Sequence, residues 1–299
     1  MCPAFGDGMG SGRAERDNAP MRLMSLLLLL CITWPSSADA QWLSWPPKSD
    51  ASPTSDASVR GTLAPVRLRI SGQDGIRQLW VDNDLSGPVE VRVSSAARAS
   101  GLPVQRLLPT RGSHRLAQFD APIRLRLQLE AVPGVPGAHA QDVTYTLPLQ
   151  LPQLRIGQLP EGRFSHSDEE NRHAIDFAAP FGTPVLAARA GTVMQVAGEH
   201  ADAPGRLKEA NFVRILHADG SMAVYAHLQR GSLEVVPSQR VETGQVLARS
   251  GNSGYSSGPH LHFAVQVNAG MRLRSVPVRL VGPLGELRLP READASSPL

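Results

Sequence analysis

His260 and His262 stand one residue apart in the apolar run Gly258-Pro259-His260-Leu261-His262-Phe263. A strand repeats every two residues, so both rings face one cleft together, and paired imidazoles can bind a metal or move protons. Three more candidates lie upstream: His166 in Phe164-Ser165-His166, Asp176 in Arg172-His173-Ala174-Ile175-Asp176-Phe177, and His227 in Tyr225-Ala226-His227-Leu228. Asp176 runs on into Ala178-Ala179-Pro180, and an ionised carboxylate in so apolar a stretch is costly without a partner. The bland alternative is an Asp capping a turn at a strand end. A catalytic zinc takes three N, O or S ligands and keeps one position for water, and this chain offers imidazoles and one well-placed carboxylate. No His-Glu-x-x-His pattern occurs, so the glutamate base of that helical motif is unavailable. His114, His139 and His200 read as loop histidines and His217 as structural.

These side chains need strands and tight turns to position them. The chain has 25 Pro, 27 Gly and only 5% aromatic residues in 299, which suits short strands better than long amphipathic helices. Phe212 to His217, the turn Ala218-Asp219-Gly220-Ser221, and Met222 to His227 read as a hairpin. Tyr225 precedes His227 by two residues and is expected to share its face and line the cleft, with a packed aromatic as the alternative. The Gly/Ser stretch from Gly251 to Gly258 reads as a loop that lets an extended substrate approach the backbone, with Asn252, Ser253 and Gly254 as substrate-binding candidates or, more simply, a flexible connection.

Further upstream, Val66-Arg67-Leu68-Arg69-Ile70, Val89-Glu90-Val91-Arg92-Val93 and Ile123 to Leu129 alternate apolar and polar residues, the mark of antiparallel strands with one wet face. The expected organisation is a leader over 1–40, a Pro/Ser-rich linker over 41–58, an Ig-like β-sandwich over 59–152, a second, antiparallel-sheet domain over 153–283, and a flexible tail over 284–299. In the leader, Met21-Arg22, the leucine run Leu26 to Leu30 and Ala38-Asp39-Ala40 read as a secretory signal, with Met21 as the true start. The apolar run is short for a membrane anchor, the competing reading, so no stable span is expected after signal cleavage. Cys2 and Cys31 both fall in the leader, so the exported chain would have none; lipidation at Cys31 is disfavoured by the bulky Leu30 before it. A net charge of +3 without a dense Lys/Arg block argues against nucleic acid as a partner.

The ordered motifs resemble the lysostaphin-like (LytM-type) zinc metallopeptidases of peptidoglycan. They run from Phe164-Ser165-His166 through His173 to Pro180, Gly182-Thr183-Pro184-Val185, Gly191-Thr192-Val193 and Tyr225 to Leu228, and then from Ser250-Gly251-Asn252-Ser253-Gly254 to Phe263. The resemblance implies a duplicated-hybrid-motif peptidase domain, one Zn²⁺ per chain, Asp176 and His262 as ligands, and His227 and His260 as catalytic residues. The usual first ligand lies four residues before the Asp, where this chain has Arg172, which cannot ligate zinc. His173 is an odd step from Asp176 and would need a β-bulge to share its face. His166 lies across a polar stretch that can fold back, and is favoured, with His173 as the alternative. The implied activity is hydrolysis of stem-peptide cross-links in peptidoglycan, in the periplasm or after secretion, with an envelope regulatory protein as a possible partner. The alternative is a non-catalytic module that binds the wall and activates a separate amidase.

Overall fold

Alternating apolar and charged residues produce strands whose inner side chains meet in a core. The computed structural model describes residues 59–60, 65–72, 75–95, 101–109, 111–120, 127–162, 165–202, 209–287 and 289. The expected leader and linker, Phe164, and the tail beyond 289 lie outside the described residues. The N-terminal strands are β1 (Val59–Arg60), β2 (Val66–Ser71), β3 (Ile76–Asn83), β4 (Val89–Ser95), β5 (Val104–Leu108), β6 (Gly112–Asp120) and β7 (Leu127–Pro133). They form a β1-β7-β4-β5 sheet and a β2-β3-β6 sheet. Val66, Leu68, Leu79 and Val81 of one sheet and Val89, Val91, Val93 and Leu129 of the other are buried in one shared cluster.

The remaining strands are β8 (Thr144–Thr146), β9 (Arg155–Gln158), β10 (Ile175–Ala178), β11 (Pro184–Leu186), β12 (Gly191–Ala197), β13 (Phe212–Leu216), β14 (Met222–Ala226), β15 (Arg240–Val241), β16 (Val246–Arg249), β17 (His260–Asn268), β18 (Leu273–Ser275), β19 (Arg279–Gly282) and β20 (Gly285–Leu287). The largest sheet runs β15-β12-β13-β14-β17-β10-β9, with β18 also on β17. Its pairs are all antiparallel, and no helix is present among the described residues. One face buries Ile175, Phe177, Val213, Ile215, Ala223, Tyr225, Leu261, Phe263 and Val265 in a second cluster. Strand alternation sends Asp176, Arg214, His262 and Gln266 to the other face. That face is covered as well: His262, Gln266 and Asn268 are all fully buried, which is why β17 shows little exposure along its length.

The described residues all fall within one compact unit. Met194, Met222 and Leu273 of the large sheet region join the N-terminal cluster, and the Glu90 carboxylate accepts a bond from the Met271 amide at 2.7 Å. Conversely Tyr145 and Leu149 belong to the second cluster, and β8 pairs with β19. Packing therefore changes from one core to the other between β7 and β8, earlier in the chain than residue 152.

Candidate metal centre and cleft

Because Ile175 and Phe177 enter the core, Asp176 must face the opposite side of β10, and the β10–β17 register sets it directly across from His262. His262 in turn lies opposite Ala226 on β14. His166 arrives from outside the sheet. The turn after it is built by Asp168, whose carboxylate accepts bonds from the Asn171 amide and side chain at 2.8–3.1 Å. Ser275 donates to the Glu169 carbonyl through its amide at 2.8 Å and its hydroxyl at 3.1 Å, and Gln266 donates to the Glu170 carbonyl at 3.0 Å. Gln266 is itself oriented by buried Arg214 at 2.8 Å. These bonds pin the segment to β17 and β18, so the chain before it folds back over the site.

The ligand atoms of His166, Asp176 and His262 all lie within 4.8 Å of one another, and all three residues are buried. His173 is outside this group; its amide bonds the Ser275 hydroxyl at 3.0 Å. The Nδ1–H of His166 donates to the Leu159 carbonyl at 2.8 Å, leaving Nε2 as a lone pair 3.2 Å from Oδ1 of Asp176. His262 Nδ1 lies 2.8 Å from that same oxygen. Electron-rich atoms converging on one point in a buried setting fit a bound divalent cation, and two imidazoles with one carboxylate are a fitting donor set for zinc. Burial lowers the His262 pKa against the opposing pull of Asp176, so the ring is neutral, as a ligand must be.

His227 and His260 stand beside this cluster with ring centroids 4.4 Å apart. His260 donates from Nδ1 to the Gly258 carbonyl at 2.8 Å, with the Ser256 hydroxyl 3.1 Å away, and its Nε2 is 4.0 Å from Asp176. His227 donates from Nδ1 to the Ser253 carbonyl at 2.7 Å. Its pKa is pushed well below the ordinary value, first by burial and then by neighbouring His260 and His262. With each Nδ1 donating to a carbonyl, the neutral form of each ring carries its lone pair on Nε2.

Three expectations need correction. Tyr225 does not share the face of His227: it is fully buried in the core against Phe263, and its hydroxyl accepts a bond from the Ala188 amide at 2.8 Å. The reason is backbone geometry, since His227 has φ 62° and leaves the strand alternation on which the shared face depended. Ser253 is also fully buried, its hydroxyl spent on Leu228 and Asn211, so its side chain is not a substrate contact. Gly254, at φ 76°, is buried where an added Cβ would sit 2.8 Å from the Ala210 side chain; close packing explains this glycine. Asn252 differs, because it is half-buried and its Oδ1 has no hydrogen-bond partner among the described residues. His217 is structural: it donates to the Ala190 carbonyl at 2.9 Å, and burial lowers its pKa to about 4. His200 lies 3.5 Å from Glu209, away from the ligand group. Sequence reading overlooked Leu159, Ser256 and Asn211. The first acts through a backbone carbonyl, which leaves no residue-type signal.

Residues 170–273 match Peptidase family M23, and this part of the chain is an M23 (LytM-type) domain. The chain is 37% identical over 108 residues to an uncharacterized metalloprotease of Haemophilus influenzae, covering 36% of this chain and 21% of that protein. It is 38% identical over 109 residues to the DD-carboxypeptidase/endopeptidase Mpg of Neisseria meningitidis serogroup B, covering 36% and 23%. Among solved structures, the catalytic domain of the prophage-encoded M23 protein EnpA from Enterococcus faecalis is 26% identical, with a TM-score of 0.34 over 44% of this chain and 92% of that one. The matched region spans about a fifth of the length of these curated relatives.

Proposed function

We propose that the chain is an exported zinc endopeptidase that hydrolyses stem-peptide cross-links of peptidoglycan. The observation that carries this reading is the convergence of His166, Asp176 and His262 beside the His227–His260 pair. The M23 domain and its likeness to a DD-carboxypeptidase/endopeptidase support peptide cross-links of the wall as the substrate class. The chain's +3 charge favours approach to an anionic envelope. Localisation is proposed to be periplasmic. No helix among the described residues is long and apolar enough to cross a membrane.

His166, Asp176 and His262 would hold the zinc. When bound, it supplies Lewis acidity that polarises the scissile carbonyl and acidifies water. His227 and His260 would then take the proton of the attacking water at Nε2 and return it to the leaving amine. Burial of His227 keeps that ring unprotonated and ready to act as a base near neutral pH.

The test is zinc per chain by elemental analysis, with muropeptide release from purified sacculi, for the parent, His166→Ala and His173→Ala. Near-stoichiometric zinc and cleavage in the parent, both lost only in His166→Ala, is the expected result. Loss only in His173→Ala would overturn the ligand set. A parent with neither zinc nor cleavage would overturn the enzyme and leave the amidase-activating module.

A further inference from the structure

His227 adopts a backbone conformation that its residue type disfavours. A left-handed φ of 62° strains any non-glycine residue, because Cβ crowds the following carbonyl oxygen. The β13–β14 ladder runs from Leu216 opposite Met222 to Phe212 opposite Ala226. Continued regularly, it would pair Asn211 with His227 and send the imidazole to the core side with Tyr225. The left-handed turn instead brings the ring beside His260 and His262. A strained turn persists only where its surroundings over-determine it.

Asn211 does so here. It is fully buried. Its carbonyl accepts the Leu228 amide at 3.1 Å, and its Nδ2 donates to the Leu228 carbonyl, also at 3.1 Å. That carbonyl takes a second bond from the Ser253 hydroxyl at 2.8 Å, and the Asn211 amide closes the ring by donating to the same hydroxyl at 3.0 Å. The other amide proton and Oδ1 engage the His200 carbonyl and amide, each at 2.8 Å. Both donors and the acceptor of the side chain are therefore committed and tie the 199–202 segment to the Leu228 carbonyl, while the main chain of Asn211 holds the peptide after His227 and Ser253, whose carbonyl holds the His227 ring. An Asp lacks the two N–H donors and a Gln places them a methylene too far.

We infer that Asn211 is a positioning residue: by clamping Leu228 and Ser253 together it holds the left-handed turn at His227, and with it the Nδ1–H tautomer that leaves Nε2 facing the cleft. The inference rests on the proposed hydrolase only in its kinetic consequence, since the tautomer can be read without turnover.

The experiment is to record the ring ¹⁵N shifts of His227 at one pH in the parent chain, Asn211→Asp, Asn211→Ala and Ser253→Ala, with metal content, kcat and KM on soluble muropeptides. The parent should show a single Nδ1–H tautomer. Asn211→Asp should show mixed tautomers with unchanged metal content and a kcat lowered about 10- to 100-fold at nearly constant KM. Ser253→Ala should shift the spectrum the same way by less. Asn211→Asp keeps the size and Oδ1 of the native side chain, so it carries the test if Asn211→Ala does not fold. A single Nδ1–H tautomer in Asn211→Asp, or a kcat in it within about twofold of the parent's, overturns the proposal. A parent that holds the tautomer but shows no turnover overturns the enzyme reading alone, and the ring spectra of the variants then decide the role of Asn211.

Discussion

The two cores of this molecule bury different chemistry. The N-terminal cluster is built from Val, Leu and other apolar side chains, and among the described residues before β8 only Asn83 and Glu90 are buried polar groups. The large sheet and its loops bury His166, Asp176, Asn211, Arg214, His227, Ser253, His262 and Gln266, among others. Each buried polar group costs about 1–3 kcal/mol unless it is hydrogen-bonded, so a fold that keeps many of them has a use for their placement. The large sheet has an apolar cluster of its own for stability, and the polar groups buried on its other face and in its loops are what function uses.

That contrast can be broken most sharply at Asp176. Asp176→Ala should abolish metal binding and lower turnover by more than the ~10–100-fold that outer partners of a metal ligand cost. Elemental analysis and muropeptide release read both effects. One step smaller, His227→Ala and His260→Ala should each lower kcat by about 10²–10⁴-fold while keeping the metal, because neither is among the three clustered ligand groups. In the apolar core, Leu79→Ala should act the other way: Leu79 is fully buried, so stability should fall by about 2–5 kcal/mol in denaturant unfolding. Turnover per folded molecule should be unchanged.

The smallest effect concerns Glu170, on the segment that carries His166. Burial raises its pKa from 4.5 to about 8, against the opposing pull of Arg214. A carboxyl with a raised folded pKa holds its proton in the native state. Its contribution to stability is therefore full below pH 4.5 and is lost as pH rises toward 8. Glu170→Gln should flatten the decline of stability over that window, a difference on the order of a few kcal/mol at its alkaline end. Equal slopes for parent and variant in pH-dependent unfolding would show that Glu170 ionises freely.

Local pattern alone determined several features of this chain. The one-residue spacing of His260 and His262 put both on one face, because a strand's two-residue period is imposed by covalent geometry. The same alternation marked β2 and β4, and the ordered motifs pointed to the M23 domain that residues 170–273 form. Other features depended on contacts between distant segments. Whether His166 or His173 approaches Asp176 is set by bonds from Gln266 and Ser275, about a hundred residues later, to the turn at Glu169–Glu170. Tyr225 was misplaced by sequence reading because the left-handed turn at His227 is held by Asn211 and Ser253, and no local propensity calls for it. Ser253 and Gly254 looked like an open loop by composition, yet packing on Asn211 and Ala210 buries them. A strand's period follows from each residue and its neighbours, whereas a strained turn or a folded-back ligand exists only when the rest of the molecule supplies the bonds that hold it.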